Sequence, residues 1–142
     1  MWHYKQLEDL SPLELFYILK LRVDTFVVEQ KCDYPEIDDV DLTATHVYMK
    51  GLDEIKAYAR IIEKNDAIYI GRIITNPKFR GQGLGKQLLE TCIAYIEEHY
   101  PNKKIALHAQ AHLEGFYGQF GFVRQSDIAF EDFIPHIEME RV

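Results

Sequence analysis

The stretch "NPKFRGQGLGKQLL", Asn76–Leu89, sets glycines at positions 81, 83 and 85 directly ahead of a segment with helical apolar spacing. Glycine costs roughly 0.5–1 kcal/mol relative to alanine inside a helix, so its repetition at the start of one calls for a compensating use. A helix N-terminus exposes unpaired amide hydrogens and about half a positive charge. It binds anions where a ligand can reach the backbone. Absent Cβ atoms at Gly81, Gly83 and Gly85 open that approach and permit positive φ where the turn needs it. Phosphate is the natural guest.

Three phosphate loops compete for this stretch. A Walker loop needs a glycine where Arg80 stands and a Ser or Thr where Gln87 stands. A dinucleotide fingerprint needs glycine at the position of Lys86 and parallel βαβ units before it. What remains is Arg80, two residues, Gly83, one residue, Gly85, set between an apolar strand and an amphipathic helix.

Downstream, Leu84, Leu88, Cys92, Tyr95 and Ile96 share one helical face from Gly83 to about Tyr100, where Pro101 and Asn102 end the element. Upstream, "HVYMK", "EIKAYARIIE" and "AIYIGRIIT" are rich in Ile, Tyr and Val and separated by "GLD" and "KND", which predicts a three-stranded antiparallel meander. Before it lies an acidic loop, "KCDYPEIDDVDLTAT", with a proline and no clean period. A first short strand near His3–Gln6 precedes a helix. Ser11 caps that helix, Pro12 suits its first position, and Glu14 completes a capping box. Leu15, Ile18, Leu19, Arg22, Phe26 and Val27 carry it, long or broken, towards Glu29. After the glycine helix, "KIALHA" reads as a strand, "AHLEGFYGQF" as a short helix, and the tail "GFVRQS…PHIEMERV" as a final pair of strands. The order β-α-(α)-β-β-β-α-β-α-β-β defines an α/β (α+β) class, with a mixed, mostly antiparallel sheet flanked by helices and one crossover.

Residues 1–142 fit one domain, long enough to bury a core without disulfides or metals. The formal charge of -7 argues against nucleic acid, which needs clustered Lys and Arg, and suits a cationic substrate better. "MWHYKQLEDL" lacks a signal-peptide apolar core, and no segment approaches the roughly 18 apolar residues of a membrane span. A soluble, cytoplasmic protein with no membrane partner is expected. Cys32 and Cys92 lie far apart in different kinds of segment, which predicts ordinary reduced thiols.

The Arg/Gln-x-x-Gly-x-Gly/Ala pattern at Arg80–Gly85, with Pro77 upstream and "FYGQFGF" at Phe116–Phe122, resembles the acetyl-CoA pyrophosphate loop of the GNAT superfamily of N-acyltransferases. The resemblance extends to the ElaA-like acetyltransferases through "R-x-x-x-F-V-V-E-Q" at Arg22–Gln30, "C-x-Y-x-E-x-D" at Cys32–Asp38, "HAQAH" at His108–His112 and "IPHIEM" at Ile134–Met139. Those segments span nearly the whole chain. Phe133 stands where the subfamily pattern has glycine, so the turn there is expected to differ.

The resemblance implies a GNAT fold and acetyl-CoA as co-substrate, with its diphosphate on Arg80, Gly81, Gln82, Gly83, Leu84, Gly85 and Lys86. It implies that the strand at Ile73, Ile74 and Thr75 lends backbone hydrogen bonds to pantetheine where it splays from Lys104–Ala109. Gln110 stands where many members have an asparagine on the pantetheine arm. Tyr117 matches the residue that meets the departing thiolate. With phenol near 10 and thiol near 8.5, full proton transfer is uphill by about 2 kcal/mol, so stabilising the sulfur is the safer role.

A lysine-like amine of pKa about 10.4 needs on the order of 4 to 5 kcal/mol to be neutral at pH 7, so something must take its proton. Glu29, Glu36, Asp38, His46 and His136 are the candidates, with Glu29 and His136 first because each lies in a segment of the resemblance. The acidic cluster is either a solvated loop or an acceptor wall with Glu36, Asp38 and His46 towards the amine, where it would recruit rather than catalyse. His108 and His112 are four apart but straddle a strand-to-helix change, so no metal is expected. The reading is an N-acetyltransferase acting by direct attack of a primary amine, small-molecule or peptide, on the thioester. The alternative is an acyl-CoA-binding regulatory module without turnover. Homodimers are common in the superfamily.

Overall fold

The computed structural model describes residues 1–131 and 134–142, so the turn at Phe133 lies outside the described residues. Strand β1 (Trp2–Lys5) leads through a short 3-10 turn to helix α1 (Pro12–Arg22). Its start is built as the sequence predicts. Ser11 Oγ accepts from Glu14 N–H at 3.1 Å, and Ser11 N–H donates to Glu14 Oε1 at 2.9 Å. The helix does not stop at Arg22 but widens into π geometry over Val23–Glu29. This π turn is the continuation towards Glu29 that the sequence predicts, and the acidic loop after it holds a 3-10 turn at Asp39–Leu42.

The meander follows as strands β2 (Thr45–Gly51), β3 (Glu54–Lys64) and β4 (Ala67–Thr75), all antiparallel. Its tight turns place Asp53, Asn65 and Asp66 at φ of 55°, 50° and 64°, a region Asn and Asp tolerate better than most residues. Helix α2 (Leu84–His99) crosses over to β5 (Lys104–Gln110), and α3 (Glu114–Gly118) leads to β6 (Phe122–Arg124), β7 (Ala129–Glu131) and β8 (Ile134–Arg141). The expected final pair of strands is a trio: β6 and β7 share one edge of β8, each with three register pairs.

The sheet runs β1-β2-β3-β4-β5-β8-β6, with β7 beside β8. One face packs α2 through Leu88, Ile93 and Ile96 against Ile61, Ile68 and Leu107. The other packs α1 through Ile18 and Leu21 against Tyr48, Tyr58 and Ile74. No helix among the described residues is long and apolar enough to cross a membrane.

Two irregularities in β4 create space. Its parallel pairing with β5 covers only Ala67–Tyr69 against Lys104–Ala106, after which the strands diverge. On its other edge, Tyr58 pairs with Ile74 but Arg60 pairs with Gly71, so β4 carries an extra residue there. Arg72 occupies this bulge at φ 50°, a sparsely populated conformation for a non-glycine residue that surrounding contacts must hold.

Candidate active site

At the mouth of α2, Gly81 and Gly83 adopt φ of 82° and 76°. A Cβ added to either would meet nothing within 4 Å, so glycine is required there by conformation, and the backbone faces open space. Gly83 is the N-cap residue, in left-handed geometry. The first helical amide bonded into the turn is Gln87 N–H, to Gly83 O at 3.1 Å. The amides of Leu84, Gly85 and Lys86 ahead of it are the usual unpaired donors of a helix start. Gly85 differs: its Cβ would stand 3.5 Å from Thr75 Oγ1 and 3.6 Å from Phe116 Cζ, in ordinary contact. The turn thus seats the helix mouth on the end of β4, with Gln82 in the loop and Arg80 exposed beside it.

Where β4 and β5 part, the gap between them forms a cleft of about 610 Å³. Ile70 to Ile73 and Gln110 form its strand walls, Tyr117 enters from α3, and His136 from β8. Ile74 is directed into the α1-side core instead. Gln110 Nε2 donates to Gln30 Oε1 at 3.3 Å, tying β5 to the segment after the π turn.

Tyr117 is buried, edge-on to Phe116 and Phe122. Burial pushes its phenol up to about 12, so complete proton transfer to a thiolate of ordinary pKa is uphill by about 5 kcal/mol. A neutral hydroxyl that donates a hydrogen bond is what this position supplies. His136 Nδ1 lies 2.8 Å from Ile134 O. A carbonyl only accepts, so Nδ1 carries a proton, and in the neutral ring Nε2 is the nitrogen with the lone pair.

Glu29 is elsewhere. Its Oε1 lies 3.6 Å from Arg80 Nη2, beside the glycine loop, and among the described residues it is not part of the cleft wall.

Three carboxylates of the acidic loop, Glu36, Asp38 and Asp41, are paired with arginines, while Asp33 and Asp39 are exposed. Arg22, completely buried, donates from Nε to Glu36 Oε2 at 3.0 Å and from Nη1 and Nη2 to Asp41 at 2.8 and 3.0 Å. Arg60 donates to Asp38 at 2.7 and 3.1 Å and to Asp41 at 2.9 Å. Arg72 donates from Nε to Glu36 Oε2 at 2.8 Å. Three carboxylates meet three guanidiniums, and the group is neutral. Burial alone would raise the Asp41 carboxyl, but the Arg22 hydrogen bonds and charge outweigh it and hold the group at about 2. Burial would likewise lower the Arg22 pKa, and the bonds to Asp41 with the charges around it raise it instead.

Two sequence expectations are corrected here. Glu36 is buried with its carboxylate spent on Arg22 and Arg72, which leaves it no means to bind an amine. His46 is buried to 1%, with Nδ1 2.6 Å from Tyr58 Oη and Nε2 3.0 Å from Asp41 O. The carbonyl fixes the proton on Nε2, and burial lowers the imidazole's pKa. It is a structural histidine, away from the cleft wall. Asp38 does reach the wall, on the arm of Arg60.

Sequence reasoning missed Arg60, Arg72, Asp41 and Tyr58. The available signal was a charged residue inside each of two apolar strands, "YARII" and "GRIIT", which is costly unless paired. Cys32 lines the cleft and Cys92 lies in the α2 core; neither forms a disulfide. Among the described residues, no group of three or more His, Cys, Asp or Glu is arranged to hold a metal.

The acetyltransferase (GNAT) domain family matches residues 9–142 of this sequence. The protein ElaA of Escherichia coli is 41% identical over 145 residues, covering 99% of this chain and 95% of that protein. Its crystal structure superposes with a TM-score of 0.94 at 39% identity, covering 100% of this chain and 99% of that one. An acyl-CoA N-acyltransferase from Pseudomonas aeruginosa superposes at 0.95, also with 39% identity and coverage of 100% and 99%. A GNAT family acetyltransferase from Elizabethkingia anophelis, solved with acetyl-CoA bound, shares the fold at 0.67 and 16% identity, covering 99% and 96%.

Proposed function

The chain belongs to the GNAT acetyltransferase family, in its ElaA-like branch, and on that premise we propose that it transfers the acetyl group of acetyl-CoA to a primary amine by direct attack on the thioester. One observation carries the reading. The positive-φ glycine mouth of α2 sits against Thr75 at the end of β4, the strand that is unpaired with β5 beyond Tyr69 and lines the cleft from Tyr69 to Ile73, so an anion-binding backbone stands at one end of an open strand edge.

In this reading Arg80 and the backbone from Gly81 to Lys86 hold the diphosphate. The β4 backbone at Ile73, Ile74 and Thr75 holds pantetheine, with Gln110 across the gap. Tyr117 donates a hydrogen bond to the leaving sulfur. His136, with its Nε2 lone pair and its place in the cleft wall, takes the amine proton ahead of Glu29, which is engaged by Arg80. Asp38, held by Arg60, borders the acceptor end of the cleft beside Arg72.

Thiol release from acetyl-CoA across a panel of amines, paired with calorimetric binding of acetyl-CoA without amine, tests the proposal. Amine-dependent release supports it. Tight binding with no release from any amine would favour an acyl-CoA-binding regulatory module, and no binding would remove both.

A further inference from the structure

The paired acidic loop still presents unspent guanidinium donors to the cleft. The Nε and Nη2 edge of Arg72 is taken up by Glu36, through Oε2 at 2.8 Å and the main-chain O at 2.9 Å. Its guanidinium carbon lies 4.9 Å from the Tyr34 ring and 5.9 Å from the Phe26 ring. Asp38 Oδ2 stands 3.7 Å from Nη2, beyond hydrogen-bond reach. Nη1, with two N–H donors, has no acceptor among the described residues, and Arg72 is part of the cleft wall. Beside it, Arg60 also borders the cleft, and its Nε is the buried side-chain polar atom without a hydrogen-bond partner among the described residues. Buried donors are normally satisfied.

The facing wall has the opposite character. Glu131, in the wall, sets Oε2 3.7 Å from His136 Nδ1, and the wall's His108 has Glu138 Oε1, which is not itself part of the wall, 3.2 Å from its Nε2. These carboxylates have imidazoles rather than permanent cations as partners. An ammonium is therefore at home on the β7–β8 side, and an oxyanion meets the Nη1 donors of Arg72 on the edge away from Asp38, which faces Nη2. A polyamine would set a second ammonium against Arg72.

The geometry points to an acceptor that is an amine also bearing a carboxylate, with the carboxylate on the free edge of Arg72 and the amino group towards His136. Arg72 is then the residue that sets acceptor specificity. The inference rests on the acetyl-transfer reading, and the test separates the two.

Thiol release is measured with matched acceptors, 3-aminopropanoate against 3-aminopropanamide and longer ω-amino acids against their amides, for the full chain and for Arg72→Gln. The carboxylate member is expected to have the larger kcat/KM by about tenfold or more, the scale of a charge-assisted hydrogen bond. In Arg72→Gln that ratio falls towards one. Equal rates within every pair, or a preference for the amides, would overturn the inference. So would an Arg72→Gln protein that loses turnover equally for both members, since Arg72 would then act on the thioester.

Should no acceptor release thiol, saturation-transfer NMR of propanoate and propanamide on the coenzyme A-bound protein reads the subsite directly. Propanoate bound in preference to propanamide, with the preference lost in Arg72→Gln, keeps the anion subsite although transfer has failed. No preference sinks it. Circular dichroism reports whether Arg72→Gln is folded; an unfolded variant leaves the decision to the matched pairs on the unaltered chain.

Discussion

The two ends of the cleft are made by different means. The helix mouth is made of backbone: seven consecutive residues from Arg80 to Lys86, with two glycines at positive φ and open space where their Cβ atoms would be. The wall over the bulge is made of side chains: Arg22, Glu36, Asp38, Asp41, Arg60 and Arg72, drawn from α1, the acidic loop, β3 and β4. A backbone site tolerates most side chains around it and fails when a glycine is lost. A site made of buried ion pairs holds its shape only while every charge keeps its partner.

That contrast predicts its largest effect at Arg22. Arg22→Met leaves Glu36 and Asp41 buried with part of their compensation gone, and removal of one partner from a buried pair costs about 3–5 kcal/mol. Urea unfolding should register a loss of that size. A loss below about 1 kcal/mol would mean that water reaches these carboxylates and that the wall is not held by its pairs.

Acid should attack the same wall. Asp41 is held at about 2, against an ordinary value near 4. Its contribution, on the order of 2 kcal/mol, is complete above pH 4 and is lost as pH falls towards 2. His46 adds an earlier step with the same sign: its pKa is lowered by burial, so stability present above about pH 6.5 declines as the medium becomes acidic enough to protonate it. Melting temperatures between pH 7 and pH 2.5 check this. A flat profile below pH 4 would break the account of Asp41.

These regions were unequally legible. The glycine mouth could be read because its requirement is local: positive φ and an open backbone select glycine at fixed offsets, and the helix period begins beside it. The capping box of Ser11 and Glu14 was legible for the same reason. The ion-pair wall was not, because its partners lie 14 residues apart at Arg22–Glu36, 19 at Arg22–Asp41 and 36 at Arg72–Glu36, and nothing in a spacing says which charges meet. The acidic loop therefore read as either a solvated run or an attractor for cations, when three of its carboxylates were already paired with arginines. The extra residue at Arg72 was equally hidden, since a bulge leaves no alternation to break in a strand as apolar as "AIYIGRIIT".

Tyr117 lies where the two ends meet. If it donates a hydrogen bond to the leaving sulfur, Tyr117→Phe should lower kcat by about 10- to 100-fold with the KM for acetyl-CoA nearly unchanged, because a hydrogen bond to a charged group is worth roughly 1.5–3 kcal/mol. A turnover equal to that of the unaltered protein would reduce Tyr117 to packing against Phe116 and Phe122.

The finest test sits inside the helix mouth. Gly83→Ala forces an alanine to φ 76° and should cost about 1–2 kcal/mol, with weaker coenzyme A binding. Gly85 has no such backbone demand, and its new Cβ would rest in ordinary contact with Thr75 and Phe116. Alanine there should raise the stability of the free protein by about 0.5–1 kcal/mol, the usual gain over glycine in a helix. If coenzyme A affinity falls while stability rises, Gly85 is kept for the ligand at the expense of the fold. If stability falls instead, the close seating of α2 on β4 is the reason for that glycine, and the backbone site shrinks to Gly81 and Gly83. Urea unfolding and calorimetry on the same two variants distinguish the cases.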